Sequence, residues 1–164
     1  MSTRPDKHTA GFTIVELLLA LAITGILLAA VAVAFNASTI NYRENENIFK
    51  TINSARQALF RITTQIRTGL VDPNDISNTD RCTLLCADGS QVTYRYDSTN
   101  NTLYLRDDSA GTDYVLCKNV TAMTFKKDNT ATGDVKSVQI SMTVASGNIQ
   151  RTVSAAAVVR KILK

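Results

Sequence analysis

The sequence contains no tryptophan, and its 164 residues include only one histidine, two prolines and three cysteines. The histidine, His8, precedes the first apolar segment. General bases, nucleophilic triads and zinc sites commonly use histidine, so its scarcity argues against these kinds of site. The sequence has no Walker loop, G-x-S-x-G or G-x-G-x-x-G pattern either. We therefore predict that the protein is not an enzyme and that it has no cofactor.

Charged residues are absent from one long segment near the N-terminus. The nineteen residues from Leu17 to Phe35 carry no charge. As a helix they would span about 28 Å, close to the ~30 Å hydrocarbon thickness of a bilayer. This predicts a transmembrane segment at about residues 12–36. The formal net charge of +4 is small, and the chain has no long run of lysine and arginine, so nucleic acid is not an expected partner.

Proline is also absent from the region after this segment, which allows the helix to continue. Gly69 suits a helix C-terminus, and Asp72-Pro73 follows as a stop signal. We predict one long helix over residues 12–70, with an amphipathic second half that buries one stripe against a sheet. The apolar residues of this stripe are spaced by three or four positions: Ile48, Ile52, Ala55, Leu59, Ile62 and Ile66.

One acidic residue, Glu16, lies just inside the N-terminal end of the predicted transmembrane segment, residues 12–36. A carboxylate in the membrane is costly and needs a partner. Cleavage between Gly11 and Phe12 would create an α-amino group four residues away, on this chain or on a neighbouring one. Arg4 and Lys7 precede the segment and favour a cytoplasmic N-terminus.

A short basic leader, then Gly-Phe-Thr-x-x-Glu, then an apolar helix resembles the N-terminus of type IV pilins and pseudopilins. The resemblance implies removal of residues 1–11 by a prepilin peptidase, N-methylation of Phe12, and use of Glu16 to set the register of assembly. The implied partners are other pilin or pseudopilin subunits, prepilin peptidase, the inner-membrane assembly machinery and membrane lipid. The implied location is a single-pass inner membrane protein with a periplasmic or extracellular head, which joins a filament after assembly.

Within this family the chain is more similar to minor subunits. Typical major pilins carry a proline in the apolar helix and often close a disulfide loop near the C-terminus. Here no proline occurs from Ala22 to Asn36, and no cysteine follows Cys117. We therefore expect a minor pilin, or a minor pseudopilin of a type II secretion system.

Several alternatives remain open at this point. One is a major pilin, and another is a pilus subunit whose head binds DNA or a surface. A third is a membrane-anchored domain with an ordinary signal, for which Ala32-Val33-Ala34 resembles a cleavage site.

Residues 71–164 are rich in β-branched residues and turn clusters, which predicts an antiparallel β-sheet head and an α+β fold. In the last two predicted strands, residues 135–145 and 149–159, apolar residues alternate with polar ones, which indicates a hairpin with one buried face. The helix stripe is the natural cover for the apolar face of this sheet. The predicted strands are Thr83–Cys86, Gln91–Asp97, Thr102–Arg106, Tyr114–Cys117, Val120–Lys126, Val135–Ala145 and Ile149–Val159.

The three cysteines allow one disulfide if the head is extracytoplasmic. Cys82 and Cys86 on one strand would lie ~13 Å apart, too far to be bridged. We favour Cys86–Cys117, and three buried thiols are the alternative. A metal site is not expected, although the acidic segment Asp72–Asp80 has oxygen ligands that could hold calcium.

Overall fold

The computed structural model describes residues 11–86, 88–131 and 133–160. The chain divides into two compact units, with the boundary between Arg43 and Glu44. We call the described residues 11–43 the N-terminal unit and residues 44–160 the head. The elements are helix α1 (Ile14–Thr68), β1 (Leu70–Val71), a 3₁₀ helix (Pro73–Asp75), β2 (Arg81–Leu85), β3 (Gln91–Asp97), β4 (Thr102–Asp107), β5 (Thr112–Lys118), β6 (Val120–Asn129), β7 (Val135–Ser146) and β8 (Ile149–Val158).

Helix α1 ends at Thr68, two residues before the end of the predicted range 12–70, because Gly69 and the strand β1 follow at once. In the head it buries the predicted stripe: Ala55, Ile62 and Ile66 are fully buried, and Leu59 is 5% exposed. The Tyr94 hydroxyl on β3 donates a hydrogen bond to the Gln65 side chain of the helix. The amphipathic half of α1 is therefore a core element of the head.

Strands β1 to β5 form one antiparallel sheet, sheet A, in chain order. Short turns connect β2 through β5, as expected for neighbouring antiparallel strands. The side chains of Leu84, Tyr94 and Leu103 face the core, where all three are fully buried.

Strands β6 to β8 form a second antiparallel sheet, sheet B, with β7 in the middle. The predicted β7–β8 hairpin is present and pairs Ser141 with Ser154. Val138, Ile140 and Met142 on β7 are buried, as their alternation predicts. The sequence thus predicts the fold class correctly, α+β with the helix on antiparallel strands, but the strands divide into two sheets rather than one.

The division between the sheets lies at one residue. Asn119 separates β5 from β6 and has a φ of 60°, a left-handed conformation that asparagine tolerates better than most residues. Its carbonyl accepts a hydrogen bond from the Ala145 N–H, and the Val120 N–H donates to the Asn101 carbonyl. The chain therefore leaves sheet A and enters sheet B without a long connection.

Candidate processing and assembly site

The start of helix α1 is closed by two side chains of the motif. The Thr13 backbone N–H and the Thr13 hydroxyl each donate to the Glu16 carboxylate at 2.9 Å. The Glu16 N–H in turn donates to the Thr13 hydroxyl at 3.3 Å. This reciprocal arrangement is a capping box, in which a threonine at the N-cap and a glutamate three residues later satisfy two N–H groups that the helix leaves free.

The capping box gives Glu16 a partner within its own chain. From the sequence, we expect this carboxylate to pair with the amino group that cleavage would create at Phe12. In the uncleaved chain the carboxylate bonds to Thr13, and the Phe12 side chain is 85% exposed. An acidic group also suits this position because the N-terminal end of a helix carries partial positive charge. Thr13 is thus a site residue whose role the sequence analysis did not identify, although T-x-x-E before an apolar run is its sequence signal.

Gly11 has no structural need to be glycine in the folded chain. A Cβ built at this position would meet no heavy atom within 4 Å, and its φ lies outside the left-handed region. A requirement for a small residue at this position would therefore come from another molecule that binds this segment, and not from the fold.

The apolar part of the helix leaves its side chains uncovered by the described chain. Leu17, Ile26 and Val33 are 59%, 71% and 72% exposed. Helix α1 is long and apolar enough in this part to cross a membrane. Thr24 is the only polar residue between Leu17 and Phe35, and its hydroxyl donates to the Ala20 carbonyl at 2.7 Å. The surface offered to the surroundings is therefore almost entirely hydrocarbon.

The three cysteines are free thiols in this structure. Cys117 lies on β5 and Cys86 just beyond β2, and β3 and β4 separate these two strands. Three strand spacings amount to about 14 Å, against a limit of about 7 Å between the Cα atoms of a disulfide. The predicted Cys86–Cys117 pairing is therefore not found. Burial raises the pKa of Cys82 to about 12 and that of Cys117 to about 11, so both remain protonated thiols.

The acidic segment forms an ordered loop with an internal cation. The Asp75 carboxylate is buried and accepts hydrogen bonds from Arg81 Nε, Asn78 Nδ2 and the Thr83 N–H, each at 2.9 or 3.0 Å. Burial works against ionisation of Asp75, but these hydrogen bonds outweigh it and lower the pKa of the carboxyl group. The internal cation is the ammonium group of Lys127 on β6, which donates hydrogen bonds to three backbone carbonyls of this loop.

The sequence analysis did not single out Lys127. A signal was present, because Lys126 and Lys127 are adjacent on a strand whose side chains alternate between two faces. One of the two lysines must therefore turn toward the interior. Among the described residues, no cluster of three histidine, cysteine, aspartate or glutamate side chains could hold a metal ion.

Comparison with protein families gives one match. Residues 6–32 match the family described as the prokaryotic N-terminal methylation motif. No curated protein and no solved structure matches the chain. The matched range contains Gly11, Phe12, the capping box and the apolar helix from Leu17 to Ala32. The N-terminal part of this chain therefore carries the prokaryotic N-terminal methylation motif, which is the type IV pilin signature.

Proposed function

We propose that the protein is a minor pilin, or a minor pseudopilin of a type II secretion system. It is a structural subunit that prepilin peptidase cleaves between Gly11 and Phe12, with methylation of the new N-terminus at Phe12. The observation that carries this proposal is the methylation motif followed by an apolar helix whose side chains the described chain leaves exposed. The lack of proline from Ala22 to Asn36 supports the minor class.

The N-terminal unit serves two environments in this proposal. Before assembly the subunit is a single-pass membrane protein whose N-terminus is cytoplasmic, as the basic residues Arg4 and Lys7 favour. Lipid then surrounds the apolar side chains. In the filament the same side chains pack against the helices of neighbouring subunits, which are as apolar as lipid tails, so transfer between the two has little hydrophobic cost.

Glu16 supplies the specificity that apolar packing lacks. In the filament its carboxylate pairs with the amino group of Phe12 on an adjacent subunit, and a subunit at the wrong height keeps a desolvated carboxylate without that pair. The capping box adds a step: before assembly Thr13 holds the carboxylate, and pairing with the neighbour then competes with this local interaction.

The first experiment tests processing. The full chain is expressed in membranes with and without a prepilin peptidase, and its intact mass and N-terminal sequence are determined. We expect Phe12 at the N-terminus, with the added mass of one methyl group, only when the peptidase is present. An N-terminus at Met1 in both cases, or one just after Ala34, would contradict the proposal.

The second experiment separates the charge of Glu16 from its capping role. Glu16→Gln keeps an oxygen that can accept from Thr13 but removes the negative charge, whereas Glu16→Ala removes both. If the charge sets the register, both variants are processed but incorporate into filaments at least tenfold less than the parent chain, as measured by immunoblot of sheared filaments. Glu44→Ala, which changes an exposed glutamate on the same helix, is the control. Normal incorporation of Glu16→Gln would show that the charge is not needed.

A further inference from the structure

The loop that leads from the 3₁₀ helix into β2 directs three backbone carbonyl oxygens at one point. The ammonium nitrogen of Lys127 lies 2.5 Å from the Asp75 carbonyl, 2.7 Å from the Asn78 carbonyl and 2.8 Å from the Arg81 carbonyl. A lysine ammonium has three N–H donors and no acceptor, so each donor has one carbonyl partner.

Two of these three residues also donate hydrogen bonds to the side-chain carboxylate of the third, Asp75. Asn78 and Arg81 donate their side chains to Asp75, while their backbone carbonyls and that of Asp75 accept from Lys127. The three residues are spaced by three along the chain, from the end of the 3₁₀ helix to the first residue of β2. The Asp75 carbonyl belongs to the last residue of the 3₁₀ helix.

Carbonyl oxygens that converge in this way repel each other unless a cation lies between them. Backbone carbonyls together with a nearby carboxylate are the oxygen ligands that hard cations such as Ca²⁺ bind in proteins. We propose that the loop of residues 72–83 is a cation-binding site of the head and that Lys127 is its resident cation, supplied by the chain itself instead of a metal ion.

The site also joins the two sheets. Lys127 lies on β6 of sheet B, and the loop leads into β2 of sheet A. Two residues before Lys127, the Phe125 N–H donates to the Thr79 carbonyl of the same loop at 2.8 Å. The ammonium group is therefore positioned to fix the loop against sheet B. It follows that the head should need no external divalent ion, and that removal of the ammonium group should create a site that an added cation can fill.

The test uses the full chain in detergent micelles and follows thermal unfolding of the head by near-ultraviolet circular dichroism. Lys127→Ala should lower the Tm by about 10 °C, because three backbone carbonyls lose a charged donor and two of these contacts are partly buried. Addition of ~10 mM CaCl₂ should then raise the Tm of this variant by about 5 °C, given the millimolar affinities of weak extracytoplasmic calcium sites. Methylammonium chloride, which restores the missing group, is the second probe.

Lys126→Ala is the matched control, because Lys126 is the exposed neighbour on the same strand. It should unfold within about 2 °C of the parent chain, since exposed substitutions have small effects. Calcium should leave the Tm of both the parent chain and the control unchanged.

Three outcomes would overturn the proposal. The first is a Lys127→Ala variant that unfolds like Lys126→Ala. The second is a destabilised variant that neither CaCl₂ nor methylammonium restores, which would make Lys127 an ordinary tether. The third is a parent chain that calcium stabilises as much as the variant.

A second variant covers the case in which Lys127→Ala does not fold. Lys127→Arg keeps the charge, but no nitrogen of its planar guanidinium carries three N–H groups, so it cannot reach all three carbonyls from one point as an ammonium does. The Asn78 N–H donates to the Asp75 carbonyl within the loop, and the Phe125 N–H donates from β6 to the Thr79 carbonyl of the loop. Amide hydrogen exchange at Asn78 and Phe125 should then be at least tenfold faster than in the parent chain. Unchanged exchange would contradict the proposal.

Discussion

The N-terminal unit and the head use the same apolar residue types in opposite ways. Leu27 in the N-terminal unit is 60% exposed, whereas Leu84 in the head is fully buried. A helix that is apolar on all sides is typical of a buried or membrane-spanning segment, and one that is apolar along a single stripe packs on a core. Helix α1 changes from the first kind to the second along its length. The comparison teaches that the head completes its own core, while the N-terminal unit depends on its surroundings to cover its apolar surface.

The same leucine-to-alanine substitution should have opposite outcomes in the head and in the N-terminal unit. Leu84→Ala should lower the free energy of unfolding of the head by about 2–5 kcal/mol, because it opens a cavity in a packed core. Leu27→Ala should leave that free energy unchanged within ~0.5 kcal/mol. Chemical denaturation of the full chain in detergent measures both. A similar loss from the two variants would show that the N-terminal unit contributes to the folding core of the head.

Acidic residues provide the second comparison. Asp75→Asn should lower the free energy of unfolding by about 1–3 kcal/mol, since a neutral amide no longer serves three donors as an acceptor. Glu16→Gln should leave the stability of the head unchanged. The measurement is denaturant unfolding of both variants and the parent chain at pH 7.

The pH dependence of the head sharpens this prediction. The pKa of Asp75 is lower in the folded chain than its ordinary value, so its ionised form stabilises the fold. That contribution is complete above the unfolded pKa of about 3.9 and is lost as the pH falls through the lower folded value. The parent chain should therefore lose more stability than Asp75→Asn between pH 5 and the acid limit. If the free energy of unfolding of the two proteins fell equally over this pH range, ionised Asp75 would not be the stabilising group.

The smallest expected effect comes from glycine. A Cβ at Gly69 would lie 3.0 Å from the Leu85 carbonyl oxygen and 3.2 Å from the Gln65 carbonyl oxygen. Because backbone atoms move little, Gly69→Ala should lower the free energy of unfolding of the head by about 1–2 kcal/mol. A Cβ at Gly25 would meet nothing within 4 Å, so Gly25→Ala should not destabilise the head. Denaturant midpoints of the two variants test the difference. Equal midpoints would show that the turn after α1 adjusts freely.

Periodicity and turn residues predicted most of the fold. Both ends of β3 agree with the predicted bounds, α1 ends two residues before its predicted end, and the other predicted strands differ by at most three residues at either end. The predictions succeeded because alternation and three-to-four spacing report directly on which face is buried. Strand β1 was missed because its two residues are too few to show a period.

Partner choice between strands was harder to predict. Alternation fixes the buried face of a strand but not its neighbours, so the break between sheets A and B at Asn119 left no clear signal. The cysteine pairing failed for the same reason, because it depends on how many strands separate Cys86 from Cys117. In the candidate site, Gly11, Phe12 and Glu16 came from a local motif, which the family comparison supports. The Thr13 cap and the Lys127 contacts are hydrogen bonds between particular atoms, which a pattern of residue types does not specify.

The hydroxyl of Thr24 has a consequence for how the apolar helix can meet its neighbours. Because it donates to the helix backbone, the nineteen residues after Glu16 offer no free side-chain donor to another chain. Such a surface contacts its neighbours through van der Waals packing and offers no hydrogen bond that would select one height or rotation. Many apolar exchanges should therefore be neutral along Leu17 to Phe35, and in the proposed filament the axial specificity of the segment would come from Glu16 in its first turn.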